Sequence, residues 1–523
     1  MAKNIIVCSD GTGNTAIKGR GTNVFKIFEA IDLNSHRYDP SRDPQVAIYD
    51  DGVGTESVKL LKLLGGVFGV GLSRNVRQLY KELCRIYDPG DRIYLFGFSR
   101  GAFTVRTLVG LIHYCGILKT AELHDNSELE QLVNDAYRGY RRRYRTKLMT
   151  ALVGEPDLDE LARLKQERSH GKEHIELVGV WDTVDAVGLP FPMFASFVNA
   201  TLYQFKFPSS VLSPIVKRAY HALAIDDERH SFEPLLWTET GAEQANAQVI
   251  EQVWFSGAHS NVGGGYPKQG MSLVALDWMM KHAQDAGLRF IGSERMYYRE
   301  HTNVDDKLYN PRAGLGRFYR WQPRDIAKLC QDKCRPKLHM SALERAAHGT
   351  EDYAPGNLPP QPEIVFTATG HDAQDRAATE RADKLQTVIA ALPPLMHDVR
   401  HTIALGRYAY VILMTTLLLA APLTSGLFGL LPALWLLLLS LALALPMAYF
   451  SQRRRQQHYS SAWLKMQKQL RSALKSTRTG AEQPDAGQLS SPSHMRALVA
   501  NRSDGSAEND SATEPTRSRT GER

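Results

Sequence analysis

The chain has 523 residues, 43% of them hydrophobic, so it can bury a large core and form more than one domain. Its net charge is +7, but no basic stripe interleaved with aromatic residues is present, which argues against a nucleic-acid partner. The arginines at 453–455 favour a membrane surface instead. Five scattered cysteines exclude a disulfide framework, and Cys330, Cys334 and His339 lack zinc-ligand spacing, so we predict no metal and no cofactor.

The N-terminal part of the chain alternates short apolar runs with helical patterns. Residues 4–9, 46–49 and 92–96 favour strands, and each run is followed by glycine or aspartate. Residues 23–32 and 75–87 have the apolar spacing of amphipathic helices. We therefore predict an α/β fold with a mostly parallel sheet and loops at the carboxyl ends of its strands. Because the chain opens on a strand and not a signal peptide, we expect no export by the general secretory route.

The sequence Gly97-Phe98-Ser99-Arg100-Gly101 follows the third of these strands and precedes a helix predicted at 102–114. Strand, Gly-x-Ser-x-Gly and helix in this order form a nucleophile elbow, in which a sharp turn lifts the serine hydroxyl clear of the sheet. The two glycines are required because a Cβ at either position would clash with the neighbouring strand or helix. We predict Ser99 to be a nucleophile. The alternative is a glycine-lined turn whose serine caps the helix.

A nucleophilic serine needs a base beside it and an acid that orients the base. On a parallel sheet these groups follow in the order Ser, Asp, His, each just past the end of a strand. Asp182 ends a strand predicted at 175–181, and His259 lies in the glycine-rich loop after a strand predicted at 249–255. Residues 194–230 read as short helices and loops. Other candidates on sequence alone are His113, His221, His230, Asp185, Asp226 and Asp227.

An oxyanion needs hydrogen-bond donors near the serine. One donor is expected to be the backbone N–H of Arg100, the residue after the nucleophile. The second is expected from the loop at 10–13, where Gly11 and Thr12 let backbone N–H groups approach closely. A phosphate-binding loop is the rival interpretation. The segment lacks both a Gly-Lys-Ser/Thr ending and a full Gly-x-Gly-x-x-Gly, which disfavours a nucleotide.

Residues 408–452 contain no charged side chain. One helix of that length would measure about 67 Å, twice the roughly 30 Å hydrocarbon core of a bilayer. A break at 422–426 would divide it into two transmembrane spans. Positive residues flank both ends, among them Arg400, Arg407 and the arginines at 453–455, which places the catalytic part on the cytoplasmic face of an inner membrane.

The remaining chain divides by composition. Residues 123–168 are helical and charged, and we predict either a cap over Ser99 or a solvated helical face. From 287 to about 391 the sequence favours irregular loops and helices. The predicted organisation is a catalytic domain at 1–350, a helical linker at 351–400, a two-span transmembrane hairpin at 401–452, a basic juxtamembrane helix at 453–475 and a disordered tail at 476–523.

Six segments in chain order together resemble one family, the α/β-hydrolase domain family that includes the type VI secretion phospholipase effectors. The resemblance covers roughly residues 3–350, and the segments are 8–14, 49–55, 97–102, 179–184, 221–229 and 257–266. It implies that Ser99 is the nucleophile, Asp182 the triad acid and His259 the base, with esterase or phospholipase chemistry. Asn261 departs from the family's pattern, in which aspartate is expected at this position.

These observations predict a membrane-anchored serine hydrolase that cleaves a lipid ester, with phospholipid as the favoured substrate. The expected partners are a lipid substrate, a bacterial membrane and a secretion system, and a resident inner-membrane enzyme is favoured over an exported toxin. Two alternatives stay open. One is a non-catalytic membrane scaffold or secretion accessory that keeps the fold, and the other is a hydrolase of a soluble ester. The acyl chain, the head group, the bond cleaved and the oligomeric state do not follow from the sequence.

Overall fold

The computed structural model describes residues 2–11, 21–51, 67–121, 123–144, 150, 159–171, 173–184, 210–239, 248–313, 319, 321–391, 408–413, 415–416, 419 and 430–475. Met1–Thr477 forms one compact unit. The tail predicted to be disordered, 476–523, lies outside the described residues.

One eight-stranded sheet organises the described residues, and all of its strand pairs are parallel. The spatial order is β2-β1-β3-β4-β5-β6-β7-β8. The predicted α/β class and mostly parallel sheet are thus confirmed. In chain order the strands are β1 (Asn4–Ser9), β2 (Gln45–Asp50), β3 (Arg92–Phe98), β4 (Ile175–Trp181), β5 (Val216–Ala224), β6 (Val249–Phe255), β7 (Lys337–His339) and β8 (Glu363–Val365).

Helices cover both faces of this sheet, because side chains along each buried strand alternate between the faces. In β1, Ile5 and Val7 join one apolar cluster while Ile6 and Cys8 join the other. The first cluster is closed by α2 (Val67–Ile86), α3 (Arg100–Cys115), α4 (Asn126–Arg142) and α5 (Asp159–Arg168). The second is closed by α1 (Asn23–Ala30), α6 (His259–Gly263), α7 (Gly270–Asp285) and α8 (Gly292–Glu300).

A third apolar cluster lies at the β7–β8 edge of the sheet. Trp463, Met466 and Leu470 are buried in it, and the indole N–H of Trp463 donates to the Pro355 carbonyl oxygen at 2.7 Å. The end of the last helix therefore packs on the same compact unit as the sheet. The helices that contribute are α9 (Ile326–Cys330), α10 (Met340–His348), α11 (Asp372–Ala390) and α12 (Leu430–Lys475).

The prediction of short helices and loops at 194–230 is wrong for β5, which pairs on both sides, with β4 and with β6. Its sequence is rich in alanine and carries Lys217 and Arg218, which favours a helix by local propensity. Pairing and burial between two long strands override that preference. Strands β7 and β8, three residues each, also lie in the stretch expected to be irregular.

The described part of the insertion at 123–168 packs against the helical layer. Its helices α4 and α5 contact α3, and α4 also contacts α2. The approach is close, because a Cβ added to Gly110 on α3 would lie 2.4 Å from the phenol oxygen of Tyr140 on α4. Residues 145–149 and 151–158 lie outside the described residues. The cap over Ser99 therefore stays a prediction.

The hairpin predicted at 401–452 has no support in the part of the chain that the structure describes. No helix formed by those residues is both long and apolar enough to cross a membrane. Residues 401–407 and 420–429, which include the predicted break, lie outside the described residues. Residues 430–475 form one continuous helix, α12, which includes the segment at 453–475 that was predicted as a separate juxtamembrane helix.

Candidate active site

Ser99 stands between β3 and α3 with φ 58° and ψ −120°, a backbone conformation that non-glycine residues rarely adopt. Its N–H donates to the Trp181 carbonyl oxygen at 3.0 Å, which ties the turn to the end of β4. The turn is as tight as predicted. A Cβ on Gly97 would lie 2.6 Å from the Gly101 carbonyl oxygen, and one on Gly101 would lie 2.0 Å from the Ser9 carbonyl oxygen. Both glycines are therefore required.

The Ser99 side chain makes no capping hydrogen bond to α3. The interpretation of Ser99 as a helix-capping serine is thus wrong, because a capping residue uses its oxygen to accept an N–H of the first helical turn. The residue is 8% exposed. Its strained backbone is therefore not explained by a capping role, and strain of this kind is concentrated at functional sites.

Asp182 directly follows β4 and is completely buried, with φ 41°. Its N–H donates to the Ala222 carbonyl oxygen at 2.8 Å, which continues the pairing of β4 with β5. Its Oδ2 lies 2.5 Å from Nδ1 of His259. The structure thus brings together the two residues predicted as acid and base. With Nδ1–H directed at Asp182, Nε2 is the nitrogen that is left to accept a proton.

The imidazole of His259 lies between two aromatic rings. Its centroid is 4.6 Å from that of Phe98 and 5.1 Å from that of Phe232. Because Phe98 immediately precedes Ser99, this packing holds the His259 ring beside the elbow. Burial lowers the pKa of His259, and the hydrogen bond to Asp182 opposes that effect without cancelling it. The imidazole is therefore neutral near neutral pH, as a general base requires.

Asp182 keeps its charge in spite of its burial. Burial would raise the pKa of this carboxyl, but the charge of Arg324 and the hydrogen bond from His259 hold the pKa well below its usual range. Oδ1 also accepts the N–H of Ala224 at 3.1 Å. A buried, ionised carboxylate of this kind can fix the tautomer of the imidazole and stabilise its protonated form.

Three of the competing candidates have other partners. His221 accepts the N–H of Thr183 through Nε2 at 3.1 Å, and burial lowers its pKa to about 3, so it stays neutral. Asp226 Oδ2 accepts the N–H of Gly257 at 2.6 Å. Asp227 Oδ2 accepts the N–H of His259 at 3.3 Å. These two carboxylates hold the loop that carries His259.

The remaining candidates lie elsewhere. His113 is on α3, and His230 begins the 3₁₀ helix His230–Phe232. Asp185 lies outside the described residues. Among the candidates that the structure describes, only Asp182 and His259 form an acid–imidazole hydrogen bond at this end of the sheet.

Asn261, at the position where aspartate was expected, uses both ends of its amide. Nδ2 donates to the Lys307 carbonyl oxygen at 3.0 Å, and Oδ1 accepts the N–H of Tyr309 at 3.2 Å. The amide thereby ties the His259 loop to the segment at 307–309. A carboxylate could accept from Tyr309 but could not donate to Lys307.

The predicted oxyanion donors have different surroundings. Arg100 is the first residue of the 16-residue helix α3, where the helix dipole favours negative charge. The N–H of Gly11 donates to Asp10 Oδ1 at 2.6 Å, so this group already has a partner. Asp10 is held by Thr22 and Tyr49, whose hydroxyls lie 2.5 Å and 2.8 Å from Oδ2. Thr12 lies outside the described residues.

Among the described residues, Cys330, Cys334 and His339 have surroundings without a ligand cluster. The ring nitrogens of His339 lie 2.8 Å and 3.2 Å from the hydroxyls of Ser341 and Thr367. Cys330 and Cys334 are free thiols. In the described part of the chain, no group of three or more His, Cys, Asp or Glu side chains is arranged to hold a metal ion.

Sequence reasoning missed Arg324, which lies 142 residues after Asp182 in the chain. Its Nη1 and Nη2 donate to Oδ1 and Oδ2 of Asp182 at 2.7 Å and 2.8 Å. No local pattern marks this arginine, which stands in a loop between Pro323 and Asp325. Only the folded chain brings it to the end of β4.

Fold and site define an α/β protein whose single parallel sheet carries an elbow serine and a buried aspartate–histidine pair at the carboxyl ends of β3, β4 and β6. The chain belongs to the family described as T6SS, phospholipase effector Tle1-like, catalytic domain, whose model matches residues 3–282. The predicted relation to the type VI secretion phospholipases is thus confirmed.

The chain is also similar to two proteins that are described as uncharacterized. The chain is 28% identical over 249 residues to the uncharacterized protein YEL023C of Saccharomyces cerevisiae, an alignment that covers 45% of this chain and 33% of the yeast protein. The chain thus spans about a third of this relative's length. A crystal structure of an uncharacterized protein from Pseudomonas aeruginosa matches with a TM-score of 0.31 and 16% identity, over 79% of this chain and 62% of that one.

Proposed function

We propose that the protein is a serine hydrolase that cleaves an ester bond of phospholipids, with Ser99 as nucleophile, His259 as general base and Asp182 as the acid that orients it. The observation that carries the proposal is the 2.5 Å contact between His259 Nδ1 and Asp182 Oδ2 beside the strained Ser99. Membership of the phospholipase effector family supports the choice of a lipid substrate. No cofactor enters the proposed mechanism.

In the first half of the reaction, Ser99 Oγ attacks the acyl carbonyl carbon while His259 Nε2 takes the hydroxyl proton. The oxyanion that forms is stabilised by the N–H of Arg100 at the start of α3. Collapse of this intermediate breaks the ester bond. His259 returns the proton to the departing alcohol oxygen, which leaves a fatty acyl group on Ser99.

In the second half, water attacks the acyl group and His259 accepts one of its protons. The second tetrahedral intermediate then expels the serine oxygen, which regains its proton from His259. The products are a free fatty acid and a lysophospholipid. Asp182 stays ionised throughout and stabilises the imidazolium that forms in each half.

The first part of α12, residues 431–443, supports an association with lipid. Large apolar side chains in this stretch are strongly exposed, among them Leu431 at 72%, Trp435 at 70% and Leu439 at 58%. An exposed apolar surface of this kind marks a protein or membrane contact site. We propose that this stretch contacts the bilayer that supplies the substrate. Two transmembrane spans, a cytoplasmic orientation and association with a secretion system are further predictions of the sequence that this proposal does not require.

The test is hydrolysis of phospholipid vesicles by the purified full-length protein, followed by mass spectrometry of the released fatty acid. Ser99→Ala and His259→Ala should abolish release, and Asp182→Asn should lower turnover by about ten-thousandfold. A fluorophosphonate probe should label Ser99 in the wild type and nothing in the Ser99→Ala variant. A folded wild-type protein that neither releases fatty acid nor takes the label would instead support the non-catalytic scaffold.

A further inference from the structure

Arg324 is one of the most enclosed charged groups of the described residues, at 4% exposure. Its two terminal nitrogens form a fork on the two oxygens of Asp182, at 2.7 Å and 2.8 Å. The same nitrogens also donate to the backbone carbonyls of Ala224 and Phe232, the latter at 2.6 Å. Four contacts therefore fix the plane of the guanidinium, and a bidentate fork fixes the plane of the carboxylate in turn.

This arrangement makes two cations share one carboxylate during the proposed reaction. Oδ2 of Asp182 accepts from Nη2 of Arg324 and also contacts Nδ1 of His259 at 2.5 Å. In a triad without such an arginine, the full negative charge of the acid stabilises the imidazolium. Here a permanent positive charge already offsets it. The protonated form of His259 therefore gains less from Asp182 than it would from an unpaired carboxylate.

The other charged groups near His259 include one ion pair and one hydrogen-bonded carboxylate. Asp227 accepts from the backbone N–H of His259 and is paired with Arg229, whose Nη2 lies 2.7 Å from Asp227 Oδ2. Asp226 binds the N–H of Gly257 at the start of the same loop. The neighbouring His221 is neutral, as its lowered pKa of about 3 requires. Arg324 is thus the cation that compensates Asp182, and its removal would leave one uncompensated negative charge beside the imidazole.

We propose that Arg324 is a positioning residue for the proposed hydrolase: its fork holds the Asp182 carboxylate in the orientation that receives Nδ1–H of His259, and its charge keeps a proton from being retained on His259. The inference rests on the proposed function. It assigns a role to a residue outside the family match at 3–282. The turnover should depend on the fork, and the acid limb of the pH profile should depend on the charge.

Two substitutions separate these contributions. Arg324→Met removes both charge and fork, so it should lower kcat and move the acid limb of kcat/KM upward by about one pH unit or more, as expected when a charge within a few ångströms is lost. Arg324→Lys keeps a charge but cannot form a bidentate fork. It should lower kcat at least tenfold at unchanged KM, while the acid limb stays near that of the wild type.

Arg345→Met is the matched control, because Arg345 is, like Arg324, a buried arginine. It donates to the carbonyls of Val304 and Asp306 at 2.6 Å and 2.7 Å and pairs with Glu351 at 2.8 Å, away from Asp182. Its substitution should lower thermal stability without moving the acid limb. If Arg324→Met does not fold, Arg324→Lys decides: wild-type kcat in that variant overturns the proposal.

A readout that does not need activity separates this inference from the proposed function. The pKa of the His259 imidazole can be followed by NMR of histidine labelled at the ring carbon, with His259→Ala for assignment. A higher pKa in Arg324→Met than in the wild type supports the charge role, even if no substrate is turned over. An unchanged pKa, together with an unchanged acid limb in an active enzyme, overturns it. An inactive wild type contradicts the proposed function alone.

Discussion

Gly101 approaches Ser9 so closely that a Cβ on the glycine would lie 2.0 Å from the serine carbonyl oxygen and 2.6 Å from that of Asp10. The first turn of α3 thus packs directly on the backbone at the end of β1. No flexible side chain lies between them to move aside. The height of the elbow above the sheet is set by this contact between main chains.

Gly101→Ala should therefore lower the free energy of unfolding by about 1–3 kcal/mol or more, as overpacking of a rigid site does, and should lower esterase turnover in the folded fraction because α3 must shift. Urea unfolding and turnover of a soluble ester measure the two effects. Gly292→Ala is the control, since a Cβ there meets no atom within 4 Å. Equal stability of the two variants would contradict the close packing.

The pH dependence of kcat/KM follows from the direction in which the pKa of His259 is shifted. Burial lowers that pKa below its ordinary value of 6.5, so the imidazole stays neutral as pH falls through 6.5 and becomes protonated only at lower pH. Protonated His259 cannot accept the Ser99 proton. For a neutral short-chain ester, kcat/KM should therefore fall toward acid with an apparent pKa below 6.5.

The lowered pKa of His259 also affects the stability of the fold. The unfolded chain binds a proton on His259 at a higher pH than the folded chain does, so this group destabilises the fold as pH drops below 6.5. Asp182 acts in the same direction, since its lowered pKa contributes stability that is lost as the carboxylate is protonated. Thermal melts across the acid range should show falling stability.

The rate prediction has its own contradicting outcome. An acid limb of kcat/KM with an apparent pKa above 6.5 would contradict the burial of His259 as described.

The exposed stretch of α12 predicts how the protein meets lipid. Trp435→Ser combined with Leu438→Ser removes side chains that are 70% and 57% exposed. Each loss should weaken vesicle binding by roughly tenfold to a hundredfold, because a large apolar side chain gains about 1.5–3 kcal/mol when it leaves water. Vesicle cosedimentation measures binding, and turnover of a soluble ester should not change.

Met296→Ser is the control for that experiment, since Met296 on α8 is 61% exposed but lies outside α12. Its loss should leave cosedimentation unchanged. If the α12 variant sediments with vesicles as the wild type does, the proposed lipid contact is wrong. If both variants lose binding equally, the contact is an unspecific effect of exposed apolar surface.

Local sequence is enough to locate the Ser99 turn and the two residues of the Asp182–His259 contact. Strands β3, β4 and β6 are apolar runs that end abruptly in glycine, serine or aspartate, so their pattern alone places Ser99, Asp182 and His259 at or just past strand ends. Parallel pairing then implies that they share one edge of the sheet. The cation that pairs with the Asp182 carboxylate cannot be found in this way, because Arg324 lies in a loop with no repeating pattern.

The strand β5 is an element that local sequence does not predict. Its alanines and charged residues resemble those of a helix, and only the pairing of both its edges makes it a strand. The error matters for the site, because β5 supplies the carbonyl of Ala222 that holds the Asp182 backbone. Long-range pairing, which local propensity does not contain, therefore determines both the strand and the hydrogen bond that supports the Asp182 backbone.

The backbone of Ser99 has an evolutionary consequence. Its positive φ costs a non-glycine residue about 1–3 kcal/mol, which glycine would largely avoid. Random mutation under selection for thermal tolerance alone should therefore favour glycine at 99, and such lineages would lose the hydroxyl. A survey of natural variants that finds serine kept at position 99 would therefore indicate selection on its chemistry, because serine there destabilises the fold relative to glycine.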